Sequence, residues 1–208
     1  MGSKNYFEDV ATEWDTMRKG FFSENVRRKA LTVAEIKPGA VAADLGAGTG
    51  FITEALLQHG ARVIAIDESP SMLDELRKKM GGNPALQCEV GESESLPIED
   101  NSLDYVFANM YLHHVEHPAV AIHHAAQKLK KGGALVITDL DAHEHEYLRT
   151  EHNDRWMGFD RGDIAKWYRD AGLEQVRVDC VGETCNSTSS CGGGDASISI
   201  FYAIGYKM

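Results

Sequence analysis

Residues 41–51 read VAADLGAGTGF, and the order of residue types in this stretch decides the fold. Val41 to Leu45 is a short apolar run of the kind that forms a buried strand. Phe51 to Gln58 then has helical character and ends before Gly60, a residue suited to closing a helix. Between them lie Gly46, Ala47, Gly48, Thr49 and Gly50. Glycine in a strand-to-helix turn tolerates positive φ and lets a ligand approach bare backbone. The stretch therefore predicts a βα unit whose loop faces a bound molecule.

Outward from this unit the pattern repeats. Upstream, Lys37-Pro38-Gly39-Ala40 breaks the chain, and helices are expected over 6–19 and 23–36, the second capped by Ser23. Downstream, strands are expected over 62–66, 86–90, 103–109 and 134–139. Helices are expected over 70–80, 118–129 and 163–171, with a polar helical stretch near 144–153. Short strands alternating with helices imply a mostly parallel sheet covered on both faces. The runs 175–181 and 197–206 have no helix between them and should form an antiparallel hairpin at the sheet edge, joined by a Gly-rich loop over 182–196. No linker divides the chain, so 1–208 is expected to be a single domain.

The 208 residues are 43% hydrophobic and 25% charged, as in globular proteins, with a formal net charge of -11. That balance, without a basic stripe, argues against nucleic acid as a partner. No apolar run approaches the roughly 18–20 residues of a membrane span, and the first residues lack the layout of a secretion signal. The four cysteines are too few and too scattered for a secreted disulfide framework. A cytoplasmic protein is expected, with a small-molecule partner, no membrane partner, and a homodimer left open.

Two ligand classes suit the glycine loop. A dinucleotide fingerprint wants Gly where this chain has Phe51, and its spacing is GxGxxG rather than the GxGxG found here. Asp44 at the head of the loop would repel a pyrophosphate but could bind an ammonium group. Asp67 closes the next strand about 20 residues on, suiting a carboxylate that accepts ribose hydroxyls. A cationic nucleoside is favoured.

At this point the sequence resembles the class I S-adenosylmethionine-dependent methyltransferases, in the small-molecule branch that includes ubiquinone and menaquinone biosynthesis enzymes. The resemblance runs from about Tyr6 to Gly172. DLGAGTGF and IDESPSML match the first two motifs; VGESESLPIEDNSLDYVFANMYLHHV and LKKGGALVITDL match the later ones. It implies a Rossmann-like three-layer α/β sandwich, with a mostly parallel seven-stranded sheet and an antiparallel last strand. It also implies S-adenosylmethionine as cofactor and residues 1–37 as an N-terminal helical lid.

Under the resemblance Gly46, Gly48 and Gly50, with Ala47, pass beneath the methionine part and ribose, where Asp44 also lies. Asp67, followed by Glu68, holds the ribose hydroxyls; Met72 covers one adenine face, and Glu92 and Ser93 meet its edge. Many relatives have Asp-Ala at the last two positions, so Glu92 is a departure. Asn109 ends its strand beneath the methyl group with His114 nearby, and Tyr6 and Trp14 belong to the lid.

Methyl transfer needs an aligned nucleophile, and a general base when the acceptor arrives protonated. His113, His143 and His145 are the catalytic candidates, near strand ends. His143-Glu144-His145 has the wrong spacing for a zinc helix motif, and no metal is expected. Cys180, Cys185 and Cys191 are candidate acceptor-binding residues, because thiolates suit soft ligands. They raise a soft acceptor, arsenite or a thiol, as an alternative to an organic nucleophile. A cofactor-binding sensor without turnover is the other alternative.

Overall fold

The computed structural model describes residues 3–92, 95–189 and 194–208. Ser93 and Cys191 lie outside them. The N-terminal helices α1 (Ser3–Val10), α2 (Trp14–Phe21) and α3 (Asn25–Ala34) precede β1 (Val41–Leu45). There follow α4 (Phe51–Gln58), β2 (Arg62–Asp67), α5 (Pro70–Met80), β3 (Leu86–Val90) and β4 (Leu103–Asn109). A 3₁₀ turn at Leu112–His114 leads to α6 (Pro118–Lys128), β5 (Leu129–Leu140), α7 (Tyr147–Glu151), α8 (Arg161–Asp170), β6 (Leu173–Thr188) and β7 (Asp195–Lys207).

The strands form one sheet of seven in the order β3-β2-β1-β4-β5-β7-β6. All neighbours are parallel except those of β7, which runs antiparallel to both β5 and β6. Strand alternation sends Ala43, Val106, Leu135 and Ile137 to a core roofed by Ile122 of α6 and Tyr168 of α8. Their neighbours Ala42, Phe107 and Val136 face Leu31 of α3 and Leu56 of α4. Phe107 and Leu56 are fully buried, each contributing roughly 1.5–3 kcal/mol to the core. The three-layer α/β architecture read from the alternation is the one observed. Among the described residues no helix is long and apolar enough to cross a membrane.

Two elements differ from the sequence expectation. The helix expected over 6–19 is broken at 11–13, where Glu13 N–H bonds to Val10 O. Along an unbroken helix Phe7 and Trp14 would stand about 10 Å apart; the break brings their ring centroids to 5.2 Å. The other difference is the hairpin. Most of the expected loop over 182–196 is strand, with Cys185 paired to Ile198 and Ser187 to Ala196. A register shift between Cys180 and Thr184 bends β6, with Gly182 at φ +88. Cys185 is therefore a buried strand residue and not a loop residue, and Cys180, expected at a strand end, lies mid-strand.

The order of the sheet reverses between β1 and β4, since β2 and β3 lie to one side and β5 onward to the other. Such a reversal opens a crevice at the carboxyl ends of the strands. The glycine loop after β1 and the Asn109–His114 segment after β4 border it.

Candidate active site

Two cavities meet in this crevice. The larger, about 820 Å³ including its open mouth, is lined by the glycine loop, the end of β2, the segment after β4, and side chains from α1 and α2. The second, about 480 Å³, lies between α1, α2, α7, β6 and the 3₁₀ turn. Phe7, Trp14, Met110 and His114 line both and form the wall between them.

Trp14, Asp44, Gly46, Ala47, Gly48, Asp67, Glu68, Met72, Asn109 and His114 all line the larger cavity. Gly46 (φ +64) and Gly48 (φ +53) take the positive φ the loop was expected to need. A Cβ on Gly46 would fall 2.2 Å from the Tyr111 ring, so that contact also requires glycine. Gly50 does not itself line the cavity; a Cβ there would meet Leu76 at 3.1 Å and Met80 at 3.4 Å. Glu92 sits in a neighbouring cleft that shares Glu68 with the larger cavity. Tyr6 lines the second cavity, with its hydroxyl 3.3 Å from His152 Nδ1. Asn109 Oδ1 accepts a bond from Thr138 Oγ1 at 2.7 Å, which fixes its amide at the strand end.

The larger cavity has an acidic floor. Asp44 is 1% exposed, and its Oδ2 accepts from both the N–H (2.9 Å) and the hydroxyl (2.6 Å) of Thr53 on α4. Burial pushes its carboxyl up to about 7 against the opposing pull of Thr53. Asp67 accepts from Gly48 N–H and Ser69 N–H, and burial raises it too. Opposite stands Arg18, which sequence reasoning missed. It is 5% exposed and stacked over Phe51 at 4.2 Å. One Nη donates to Glu24, while its buried Nε has no partner among the described residues. Its only sequence signal is position, four residues after Trp14 and so on the same helix face.

In the second cavity the 3₁₀ turn presents two histidines with opposite electrostatics. His113 donates Nδ1–H to Asp139 Oδ1 at 2.7 Å, while Asp139 also accepts from the N–H groups of Leu112 and Leu140. Burial alone would lower His113, but the charges of Asp139 and Asp154 outweigh it and push the ring up to about 9. His114 goes the other way, held well below the usual imidazole range by burial and by the charge of His113. Asp154, not singled out in the sequence, comes from the loop after α7. Arg155 and Trp156 N–H bond to His113 O, and Trp156 Nε1 to Val115 O, clamping that loop onto the turn. Burial raises Asp154 to about 6, although His113 pulls it down.

His143 and His145 line neither cavity. They stack on each other at 5.6 Å, with His143 Nδ1 accepting from His145 N–H, and burial lowers His143 to about 4. Nor are the candidate cysteines among the described residues gathered together. Cys180 neighbours Ser199, Gly182 and Arg161, away from both cavities. Cys185 does line the second cavity, yet burial and then the charges of Asp154 and Asp139 push its thiol up to about 12. With Cys180 away from this cavity and only Cys185 on its wall, the two described thiols do not converge on the space a soft acceptor would occupy.

Comparison with known proteins agrees with this geometry. Residues 43–137 match a family described as a methyltransferase domain. An uncharacterised methyltransferase of Mycobacterium tuberculosis is 44% identical over 92 residues, 44% of this chain and 36% of the relative. The demethylmenaquinone methyltransferase of Paenarthrobacter aurescens is 31% identical over 136 residues, 64% of this chain and 53% of the relative. Among solved structures, a Haloferax volcanii methyltransferase in complex with the Trm112 methyltransferase activator superposes with TM-score 0.80 at 20% identity, covering 96% of each chain. A Haemonchus contortus phosphoethanolamine N-methyltransferase bound to S-adenosyl-L-methionine gives 0.71 at 17% identity over 87% of this chain and 52% of its own. Residues 43–137 thus carry a methyltransferase domain, and the described fold is the one found in solved methyltransferase structures. The chain spans about a third of the length of the first curated relatives it matches.

Proposed function

We propose that the protein transfers the methyl group of S-adenosylmethionine to a small, largely apolar acceptor carrying an acidic ring hydroxyl, of the phenol or hydroquinone class. The observation that carries this reading is His114, on the wall common to both cavities. When bound, S-adenosylmethionine supplies a methyl carbon on a positively charged sulfur. The larger cavity suits it electrostatically: Asp44 would face the ammonium, the unpartnered Nε of Arg18 the carboxylate, and Asp67 the ribose hydroxyls, with Met72 packed against the adenine.

Methyl transfer to a ring hydroxyl compound yields S-adenosylhomocysteine and one proton, and handling that proton is the protein's task. Because His114 is held neutral, its lone pair is available to the acceptor hydroxyl. Its Nδ1 lies 3.9 Å from Asp154 Oδ1, a carboxylate able to take the proton onward. Phe7, Phe21, Leu140 and Leu148 give the second cavity an apolar wall that suits a ring. Holding the reactants aligned there, away from water, can lower the barrier by roughly 7–11 kcal/mol. Two relatives support the acceptor class by their names: the demethylmenaquinone enzyme, and a 2-methyl-6-phytyl-1,4-hydroquinone methyltransferase of Oryza sativa, 29% identical over 78% of this chain. The test is S-adenosylhomocysteine release over a panel of phenols, naphthohydroquinones and primary amines. Release with the hydroxylated rings alone supports the reading; release with amines alone overturns it.

Residues 1–37 would act as the lid, latched by Asp15. Its carboxylate accepts from Thr49 Oγ1 at 2.6 Å in the glycine loop and pairs with Lys79 on α5 at 2.6 Å. Contacts of this partly exposed kind are worth about 1 kcal/mol. Asp15→Ala is expected to weaken S-adenosylmethionine about fivefold, chiefly through faster dissociation in stopped-flow measurements; an unchanged off-rate would remove the latch.

A further inference from the structure

We propose that His113, His114 and Asp154 form a binding site for one divalent metal ion of the zinc class, and that its occupation switches methyl transfer off. Each residue offers one donor atom, and the three atoms lie within 4.8 Å of one another. Asp154 Oδ1 is 3.8 Å from His113 Nε2 and 3.9 Å from His114 Nδ1. Zinc bonds of about 2.0–2.1 Å in tetrahedral geometry place neighbouring donors about 3.4 Å apart. Both Asp154 distances thus exceed the donor spacing of a bound ion by about half an ångström, a gap within the reach of side-chain torsions.

An independent feature supports a ligand role for His113. Its other nitrogen donates to Asp139, which is fully buried and itself tied to the Leu112 and Leu140 amides. Metal-ligating histidines commonly have such a carboxylate behind them, which fixes the tautomer and strengthens the donor. Two imidazoles and one carboxylate leave at least one coordination position open, as in catalytic zinc sites. All three residues line the second cavity, so that position faces the space assigned above to the acceptor. Cys185 lines the same cavity but does not belong to the cluster. Ligation at His114 Nδ1 would replace its long, 3.4 Å contact with Asn153 O.

The ion site stands on this geometry. Its effect on turnover rests on the proton path proposed above, because an ion held between His114 Nδ1 and Asp154 fills the gap that the departing proton must cross. The experiment measures zinc binding to chelator-treated protein by calorimetry, with cobalt absorption as a second probe and no acceptor present. One ion per chain is expected, with affinity falling at least about 100-fold in His114→Ala and in Asp154→Asn and about 10- to 100-fold in Asp139→Asn. Thermal melts check that the variants fold. In the unmodified protein, zinc should shift the ¹⁵N resonances of two histidine rings. No stoichiometric binding by the wild-type protein, or binding unchanged in both His114→Ala and Asp154→Asn, overturns the site. Zinc should also inhibit S-adenosylhomocysteine release at concentrations matching the calorimetric affinity; stoichiometric binding without inhibition overturns the switch. If ring hydroxyls prove not to be acceptors, the binding experiment still decides the site.

Discussion

Replacing Asp44 by asparagine should stabilise the cofactor-free protein above pH 7 and weaken its S-adenosylmethionine binding by about 100-fold. Both effects come from one buried carboxylate. Asp44 titrates near 3.8 when exposed in the unfolded chain and near 7 in the fold. Between those values the folded protein holds a proton that the unfolded chain has released. Stability therefore falls as pH rises from about 4 to 7, and the deficit is complete above pH 7. A shift of about three units corresponds to a ceiling of about 4 kcal/mol. The amide oxygen introduced by Asp44→Asn would still accept the two Thr53 bonds, so most of that deficit should be recovered. The bound cofactor reverses the balance, because its ammonium makes the ionised form of Asp44 the favoured one. Removing one partner of a buried charge pair costs about 3–5 kcal/mol, more than enough for the loss of affinity stated. Chemical denaturation at pH 5 and 8 with calorimetry of cofactor binding measures both effects. An unaltered pH slope together with unaltered affinity would show that Asp44 serves only to cap α4.

The sheet and the cofactor loop were legible in the sequence because each rests on local signals. The strands 41–45, 86–90 and 103–109 fall on the residues where their apolar runs placed them. So do the helices 51–58 and 70–80, one opened by the glycine loop and the other by Pro70 behind the Ser69 cap. The extended hairpin was obscured by the size of its inward residues. Cys185, Ser187 and Ala196 face inward in the paired strands, but they are small or polar and read as loop. The break between α1 and α2 has no proline or glycine to announce it; what accompanies it is the edge-to-face contact of Phe7 with Trp14, which sequence periodicity does not show. The histidine–carboxylate cluster was harder still. His113 and Asp139 belong to different strand ends, and Asp154 to a loop held by bonds to the turn it faces. Periodicity carries no trace of such an arrangement. His143 and His145 stand out by being close in sequence, whereas Asp154 becomes visible only once the chain is folded.

The largest expected effect on turnover is that of His114→Ala, which should lower kcat by about 100- to 10,000-fold with a ring-hydroxyl acceptor. The size follows from where the imidazole stands. It forms part of the wall between the cavities and is neutral, and Asp154 lies behind it to receive the proton. Truncation also removes an edge contact with Phe7, whose ring centroid lies 5.0 Å away, so slower turnover alone would not separate chemistry from packing. Acceptor acidity separates them. A nitrophenol already ionised at the assay pH needs no proton removed, and with it the variant should recover most of the lost rate. A weakly acidic phenol of the same shape should keep the full loss, because its hydroxyl must be deprotonated during transfer. Equal losses across the two acceptors would assign His114 to positioning the ring, and the proton would then leave by another route. A loss that tracks acceptor acidity would instead fix the proton at His114, with Asp154→Asn expected to show the same dependence to a smaller degree.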